Sequence, residues 1–489
     1  MEKDIFIRLQ EEQINKLLVV IDLLNQQVKD HQSLNEKLLG QVSYLTALVT
    51  ELENNQKKNS GNSSKPPSTD IGKANRTKSL RKSSNKKRGG QPGHKGSTLE
   101  FRETPDLIVV HPIESCGYCG QDLRLQGVQG HESRQVFDLP PIKLQVTEHR
   151  GEIKSCPCCK EVNRAAFPGG VSQKVQYGVE IQKLAVYFNN YQLLPYKRTS
   201  NMFEDLLGHR INEASLVSMN QRCADSLAGF IEELKKALSE QAVLHADETG
   251  YYYNGVRNWL HVLTTEQHTF YMPHAKRGTA AMDAVGILSS YKGRLVHDFW
   301  KPYLEYNCAH ALCNVHHLRD LTFCAEVENS PWAPEMIACL LSANQLVGQE
   351  KQAGKTALSS DQLCYQNQKY DELIKAGWDN HPPPEKQKGK RGAVKKSKTQ
   401  NLIQRFEQHK EEVLAFMNDF KVPFGNNLAE QAIRMMKVKQ KISGCFRSEL
   451  GANTFATIRS YISTMQKQGV TAMDALHNAF SCFPSLNMP

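Results

Sequence analysis

The sequence predicts a multidomain α+β protein in which helical regions surround one core that contains a β-sheet. Three observations predict this class. Apolar residues recur every seven positions near the N-terminus, two cysteine pairs follow a basic tract, and a run of strand, strand, strand, helix and strand occupies 243–298. At 489 residues, the chain is long enough to form several domains with a sizeable buried core.

Composition and cysteine content narrow the class of protein. No stretch resembles a signal peptide or an apolar span of about 20 residues, so we expect a cytoplasmic protein without a membrane partner. The 13 cysteines are an odd number in a chain that lacks a secretion signal. They favour reduced thiols and a metal site over a disulfide framework. The net charge of +10 is partly concentrated in one tract, so its placement matters more than its size.

Residues 1–58 have the pattern of a coiled-coil helix. Apolar residues at the a and d positions of about five heptads are typical of this structure, and they predict a homo-oligomer. The alternative is one amphipathic helix packed on its own domain. His31 and Asn35 interrupt the seam, where buried polar residues would set register and strand number. The seam residues are Ile14, Leu17, Ile21, Leu24, Val28, Leu38, Val42, Leu45, Val49 and Leu52.

A basic tract occupies 59–98. It has no acidic residue between Ile71 and Ser97, and it contains too few apolar residues to order itself. Its charge is of the kind that phosphate backbones attract without base specificity, although a solvated linker remains the alternative. The residues that we expect to bind DNA here are Lys82, Lys86, Lys87 and Arg88.

A cysteine module is expected at 99–175. Two Cys-x-x-Cys knuckles can bring four thiolates to one tetrahedral zinc ion, and a glycine beside a knuckle allows its tight turn. We predict a structural Zn²⁺ held by Cys116, Cys119, Cys156 and Cys159, with Cys158 and His111 as alternative ligands. The intervening segment includes Lys143–Glu148, which alternates as a hairpin strand does. A small zinc module beside a basic tract favours a DNA-binding unit.

Residues 176–240 are predicted to be helical. A helix, a turn that contains Gly208 and a second helix from Ile211 could form a helix-turn-helix. An ordinary helical pair fits the same pattern, and the sequence does not decide between them.

The first part of a catalytic core is expected at 241–330. The predicted strands are Val243–Asp247, Trp259–Leu263, Thr269–Met272 and, after a helix at Thr279–Ser289, Arg294–Asp298. Side chains alternate along a strand, so Asp247 shares a face with His245 and Glu248 takes the other. This order of elements is that of the RNase H-like fold, whose first and fourth strands are neighbours. Asp247 and Asp298 would then reach one metal ion; the alternative is a strand followed by a solvated acidic turn.

The next motif, 310–317, is predicted to lie on a helix. Its His310 and Cys313 would face the same way, whereas His316 would lie off that face. A second zinc site is one interpretation, and a packed or substrate-facing helix is the other. A helical insertion with a basic, proline-rich loop is expected at 331–420.

The core is predicted to resume at 421–445, on a helix that carries Glu430. Asn427 and Glu430 have the spacing of a capping box, which is the structural alternative to a metal-binding role for the glutamate. Arg434, Lys437 and Lys441 recur at helical spacing and are candidates for phosphate contacts, or for a solvated basic face. The C-terminal region, 446–489, is predicted to be helical.

Several motifs resemble those of transposases of the insertion sequence 66 family, which are DDE enzymes. They are NSSKPPSTD, GGQPGHKG, the double Cys-x-x-Cys module, YQLLPYKRTSNMFEDLLG, LHADET, HDFWKPY, HALCNVHHLRDL and VPFGNNLAEQAIRMMKVKQKISGCFRS. The resemblance covers nearly the whole chain, and the combination is highly specific. Two departures are Gly425, where the family has a larger and often acidic residue, and Gln431, where arginine is common.

The resemblance implies an RNase H-like domain in which Asp247, Asp298 and Glu430 are the catalytic, metal-binding acids. It favours Glu430 as a ligand over a cap. Two Mg²⁺ ions (or Mn²⁺) would be held, with Asp247 bridging them, because in-line displacement at phosphorus needs both oxygens stabilised. Water would expose a 3′-OH at the element end, and that hydroxyl would attack target DNA.

The implied partners are double-stranded DNA, both element ends and target, and accessory proteins of the same element. The implied location is the bacterial-type cytoplasm, in association with the nucleoid. Two other classes share many of these features: a non-catalytic, zinc-containing DNA-binding regulator or inactive transposase descendant, and a structure-specific nuclease that never joins strands. Only the regulator would have no reason to keep all three acids.

Overall fold

The computed structural model describes residues 2–58, 98–384 and 396–481, together with Asn62, Gly93, Gly96, Val394, Pro484 and Leu486. Within these residues, one compact unit contains α1 (Glu2–Gln56) and Leu227–Thr471, and a second contains 98–226 and α15 (Ala472–Ser481). Every helix in the described ranges is too short or too polar to traverse a bilayer. The predicted DNA-binding residues Lys82, Lys86, Lys87 and Arg88 lie outside the described residues.

Helix α1 spans 55 residues, and its predicted helical structure is confirmed. The seam side chains, from Ile14 to Leu52, are each 47–61% exposed. A continuous apolar stripe of this length on a single helix is the face that a coiled coil buries. The pairing itself stays a prediction.

In the second unit, the cysteine module is mostly irregular backbone around one hairpin. Strands β1 (Ile153–Ser155) and β2 (Val162–Arg164) pair antiparallel on either side of the second cysteine knuckle. The strand predicted at Lys143–Glu148 is wrong, because these residues have no regular structure. The knuckle turn closes the observed hairpin, and alternation alone could not locate that turn.

The helical part of the second unit confirms the predicted helix, glycine turn and helix. Gly208 ends α3 with φ +64°, a left-handed conformation that glycine adopts at little cost. A core around Phe203, Ile211 and Leu216 joins these helices. The elements are α2 (Val179–Val186), a π-helical turn (Tyr187–Tyr191), α3 (Tyr196–Leu207), α4 (Glu213–Ser226) and α15.

The first unit contains a five-stranded mixed sheet of order β5-β4-β3-β6-β7. The pairs β3–β4 and β4–β5 are antiparallel, whereas β3–β6 and β6–β7 are parallel. The predicted first and fourth strands are therefore neighbours, as expected. The strands are β3 (Val243–Tyr253), β4 (Val256–Thr264), β5 (Thr269–His274), β6 (Arg294–His297) and β7 (Ala309–Leu312).

Local sequence explains several of these bounds. Helix α6 (Thr279–Val285) is shorter than predicted because Gly286 ends it at φ +77°. Pro273 is tolerated in β5 because this strand forms the edge of the sheet. Helix α14 (Glu449–Lys467) covers that edge: the Thr464 and Ser460 hydroxyls accept hydrogen bonds from the N–H groups of Thr269 (3.0 Å) and Tyr271 (2.8 Å).

A helical insertion, three further helices and a 3-10 turn complete the described part of the unit. The insertion packs around Trp332, Tyr370 and Phe406, which are buried in one apolar cluster. Its helices are α7 (Asn314–Glu326), α8 (Trp332–Gln352), α9 (Ser360–Asn380), α10 (Lys398–Gln408), α11 (Lys410–Val413) and α12 (Ala415–Asn418). The remaining helices are α5 (Ala228–Ser239), a 3-10 turn (Lys301–Glu305), α13 (Asn427–Ser443) and α14.

Candidate active site

The parallel pair of strands at the centre of the sheet positions the first two predicted acids. Val243, Leu244 and His245 of β3 pair with Arg294, Leu295 and Val296 of β6. Continuing this register past the end of the ladder places Asp298 across from Asp247. The prediction that β3 ends at Asp247 is wrong, because the strand runs on to Tyr253 against β4. Its parallel partner ends earlier, so both acids lie where the two strands separate.

Asp247 is half-buried, and its charge is poorly compensated. Burial raises the pKa of its carboxyl group to about 8, and the nearby charges of Glu248 and Asp298 act in the same direction. One hydrogen bond, from the Glu248 N–H to Oδ1 at 2.8 Å, stabilises the carboxylate. Asp247 therefore needs a proton or a cation, and a cation is what a metal site supplies.

Asp298 directly follows β6 and begins a turn. Its Oδ1 accepts a hydrogen bond from the backbone N–H of Trp300 at 3.1 Å. Its charge raises the pKa of both Asp247 and Glu248, so the three carboxyl groups repel one another. The two aspartates therefore form one acidic locus, as the strand pattern predicts.

Glu430 lies in the first turns of α13, and its Oε1 is 3.7 Å from His316 Nδ1. The structure excludes the capping box that was the alternative to a ligand role, because Asn426 occupies the N-cap position and Asn427 is already helical. Glu430 is one residue too far along for a capping box with Asn426, and its backbone N–H bonds to the Asn426 carbonyl at 3.1 Å. The Glu430 side chain is therefore available for another role.

The Asn426 side chain connects α13 to β3. Its Oδ1 lies 2.8 Å from His245 Nδ1, and its Nδ2 donates to the Ala246 carbonyl at 2.7 Å. Its backbone N–H points at Cys313 Sγ, 3.2 Å away. One buried residue thus holds the start of α13, and with it the helical turn that carries Glu430, against both β3 and the end of β7.

The glycine at position 425, which departs from the family pattern, is explained by packing. A Cβ atom at this position would lie 2.7 Å from Val315 Cγ2, much closer than van der Waals contact. The loop before α13 therefore passes too near α7 for a larger residue.

The motif at 310–317 does not form one helix, and this prediction is wrong. His310 lies on β7, with its Nδ1 3.1 Å from His297 Nε2, whereas α7 begins only at Asn314. Four residues are too few for the pattern to separate a strand from a helix. As a result Cys313 is not grouped with His310. It is grouped with His316 and Glu430, whose ligand atoms lie within 4.8 Å of one another and of its sulfur.

His316 links the three predicted acids, and sequence reasoning did not select it. Burial would lower its pKa, but the adjacent Cys313 thiol and the charges of Cys313, Glu430 and Asp298 raise it to about 9. Its charge in turn lowers the pKa of Asp247. All three acids therefore converge on one imidazole. Among the described residues, the oxygens of the three carboxylates do not all lie within 4.8 Å of one another.

Comparison with protein families assigns this chain. The Transposase IS66 family model matches residues 174–454, which is more than half of the sequence. This chain belongs to the IS66 transposase family. The model of the zinc-finger binding domain of transposase IS66 matches 114–160, and a family of unknown function, DUF6444, matches 11–100. A search of curated proteins finds no match.

In this transposase both carboxylate oxygens of Glu248 have protein hydrogen-bond donors. Its Oε1 accepts hydrogen bonds from Arg277, including one from Nε at 2.8 Å, and its Oε2 accepts one from the Tyr303 hydroxyl at 2.6 Å. The Arg277 guanidinium also stacks on Trp300, 4.0 Å from the ring centroid. A carboxylate with this many partners supports the site, and the only sequence signal for this role is that Glu248 faces the opposite side of the strand from Asp247.

The three candidate phosphate-binding residues of the transposase on α13 differ in their surroundings. Arg434 and Lys441 are exposed. Lys437 is also exposed, and its ammonium donates to the Gly250 carbonyl at 2.8 Å. Arg434 and Lys441 therefore keep their charge accessible, whereas Lys437 ties α13 to β3.

The two cysteine knuckles have the same backbone geometry. Cys116 N–H bonds to the Gln121 carbonyl and Cys156 N–H to the Glu161 carbonyl, both at 2.8 Å. The fifth residue of each turn is left-handed: Gly120 at φ 74° and Lys160 at φ 62°. Backbone N–H groups lower the pKa of Cys116 and Cys156, chiefly those of Tyr118 and Cys159, which favours thiolates. Such turns suit a zinc ribbon, which the zinc-finger match supports.

The structure leaves the zinc ligand set undecided. The described residues show no group of three cysteine sulfurs within 4.8 Å of one another. Cys119, Cys158 and Cys159 are exposed, as is His111. The choice of Cys116, Cys119, Cys156 and Cys159 thus stays a prediction.

Proposed function

We propose that this transposase is a metal-dependent DDE enzyme with an RNase H-like core that cleaves DNA at element ends and joins them to target DNA. The observation that carries the proposal is the parallel register of β3 and β6, which sets Asp247 and Asp298 side by side where the strands separate. Glu430 lies 3.7 Å from His316, whose charge interacts with both aspartates. The sheet supports it: three antiparallel strands followed by two parallel ones, in the order β5-β4-β3-β6-β7, match the RNase H-like arrangement.

The donor set suits Mg²⁺ or Mn²⁺. Asp247, Asp298 and Glu430 provide hard carboxylate oxygens, and the raised pKa of Asp247 indicates an excess of negative charge. Metal ions bound to these residues would supply Lewis-acid stabilisation of the attacking and leaving oxygens of the phosphodiester. The chain's own contribution is to hold the carboxylates on two strands and a helix that Asn426 fixes together, and to keep Glu248 neutralised by Arg277.

DNA binding is proposed for three regions. Arg434 and Lys441 would contact phosphates near the acids, because both are exposed on the helix that carries Glu430. The basic tract with Lys82, Lys86, Lys87 and Arg88 would hold DNA without base specificity. The cysteine module would bind structural zinc through Cys116, Cys119, Cys156 and Cys159 and brace one element end. The glycine turn between α3 and α4 is consistent with a helix-turn-helix.

Pairing of two ends requires more than one subunit, and α1 is proposed to supply the contact. Its exposed seam would be buried in a coiled coil. In the full-length chain, replacing Leu24 and Leu45 by glutamate should reduce the mass measured by light scattering to that of a smaller assembly. Replacing exposed Glu12 and Glu36 by glutamine provides a control outside the seam. An unchanged mass in the seam variant would refute the pairing role.

The central test is strand cleavage and joining on a labelled element end with Mg²⁺. Glu430→Gln keeps the size of the side chain but removes the charge that a metal ion needs. We expect loss of cleavage with unchanged DNA binding and thermal stability, whereas Glu411→Gln, at an exposed position on α11, should behave as the parent chain does. Unchanged cleavage by Glu430→Gln would refute its role. Cleavage without joined products would indicate a nuclease.

A further inference from the structure

The cluster of Cys313, His316 and Glu430 is not explained by the proposed Mg²⁺ chemistry. Cys313 Sγ lies 4.0 Å and His316 Nδ1 3.7 Å from the same oxygen, Glu430 Oε1. His316 Nδ1 is buried and has no hydrogen-bond partner within the described residues. A thiol, an imidazole and a carboxylate thus surround one small space. We propose that these three residues form a Zn²⁺ site.

The backbone arranges the ligands before any ion binds. Cys313 is the N-cap residue of α7 and His316 lies in its first turn, a spacing of three that puts both side chains on one side of the helix start. The N–H of Asn314 bonds to the Phe424 carbonyl at 3.0 Å, and the N–H of Asn426 points at Cys313 Sγ. These contacts orient the sulfur, and such outer contacts tune a metal ligand.

The ligand types select the ion. Mg²⁺ prefers oxygen ligands in an octahedron, whereas a thiolate and an imidazole favour zinc and similar borderline ions. Three protein ligands leave the fourth tetrahedral position to water. The site differs from the cysteine knuckles, because it offers one thiolate instead of four and because Cys313 is buried.

Glu430 belongs to both sets of ligands, and this gives the site a consequence for activity that rests on the proposed function. A Glu430 oxygen that binds zinc together with Cys313 and His316 is not free to bind the Mg²⁺ ions that Asp247 and Asp298 would hold. Zinc at this site therefore inhibits Mg²⁺-dependent cleavage, and free zinc regulates the transposase.

The binding test uses the full-length protein loaded with Zn²⁺ or Co²⁺. Cys313→Ser should carry one zinc ion per chain fewer by elemental analysis, and should lose part of the thiolate-to-cobalt charge-transfer absorption. Cys364→Ser, which removes an exposed thiol elsewhere in the same unit, should match the parent chain. The knuckle thiolates contribute equally to the metal content and the absorption of the parent chain and both variants, so they do not affect the differences between these proteins. His316→Gln is a second variant in case Cys313→Ser does not fold. Equal metal content and spectra in folded variants would overturn the site.

The activity test titrates Zn²⁺ into the Mg²⁺-dependent cleavage reaction, with each protein compared with its own zinc-free rate. Cys313→Ser should need at least about tenfold more zinc for half inhibition, because loss of a metal-site contact typically costs ten- to hundredfold in affinity. Equal inhibition of both proteins would overturn the competition for Glu430. If no protein cleaves DNA, the proposed function fails, and the metal content and cobalt spectra still decide the zinc site.

Discussion

Asn426 should be the residue on which the geometry of the acids depends most. Asn426→Ala removes both side-chain contacts to β3 and leaves two buried polar groups, His245 Nδ1 and the Ala246 carbonyl, without their partner. An unpaired buried polar group costs about 1–3 kcal/mol, so the free energy of unfolding should fall by about 2–5 kcal/mol. Cleavage should fall as well, because Glu430 loses its anchor.

The assay is urea unfolding followed by tryptophan fluorescence, which reports on one unit. All 4 tryptophans lie within Leu227–Thr471, the unit that contains the acids. They are Trp259, Trp300, Trp332 and Trp378. The transition therefore follows the unit that the substitution perturbs, whatever the second unit does.

Asn427→Ala is the matched control, because it removes the same side chain from the next, exposed position. It should change the free energy of unfolding by less than about 0.5 kcal/mol, as most surface substitutions do. If Asn427→Ala costs as much as Asn426→Ala, the helix is capped by Asn427, as in the alternative that the sequence left open, and the account of how Glu430 is positioned is wrong.

Three further results are expected in the same urea assay. Gly425→Ala should destabilise the unit by about 1–3 kcal/mol through overpacking against Val315, and Val315→Ala in the same chain should recover most of this loss. Folding raises the pKa of Asp247 to about 8, so the folded state binds more protons than the unfolded state between about pH 4 and pH 8. Without metal, the free energy of unfolding should therefore fall as the pH rises through this range. Asp247→Asn should make this dependence on pH less steep. Glu248→Gln should lower the free energy of unfolding by about 1–2 kcal/mol, which is less than the loss of a fully buried ion pair, because Arg277 is 38% exposed and water screens its charge. A larger loss than that of Gly425→Ala would contradict this screening.

The sequence was sufficient to place the first two acids, because the relevant signals are local. Short apolar runs bounded by Gly or acids predicted β3 to β6, and the element order predicted that β3 and β6 are neighbours. The predicted β3 is too short because two adjacent acidic residues, Asp247 and Glu248, are typical of the end of a strand. Antiparallel pairing with β4 extends the strand through both acids, and this pairing depends on tertiary contacts that the local sequence does not reveal.

The third acid and its neighbours could not be placed in this way. Asn426 and Asn427 are identical in local preference, and only contacts with His245 and Ala246 make Asn426 the buried one. The strand at Ala309–Leu312 has four residues, and its parallel pairing with β6 separates His310 from Cys313. The grouping of Cys313, His316 and Glu430 joins segments far apart in sequence, so no spacing rule could show it.

The position of the insertion also bears on how the chain is made. Helices α7 to α12 build their shared apolar core from segments close in sequence, so this core can form while synthesis is still under way. Glu430 follows that core, and it reaches Cys313 and His316 only once α13 has left the ribosome. Under the proposed function, a nascent chain therefore displays Asp247 and Asp298 before Glu430 is in place. Competence to cut DNA should then arise abruptly, near the end of translation.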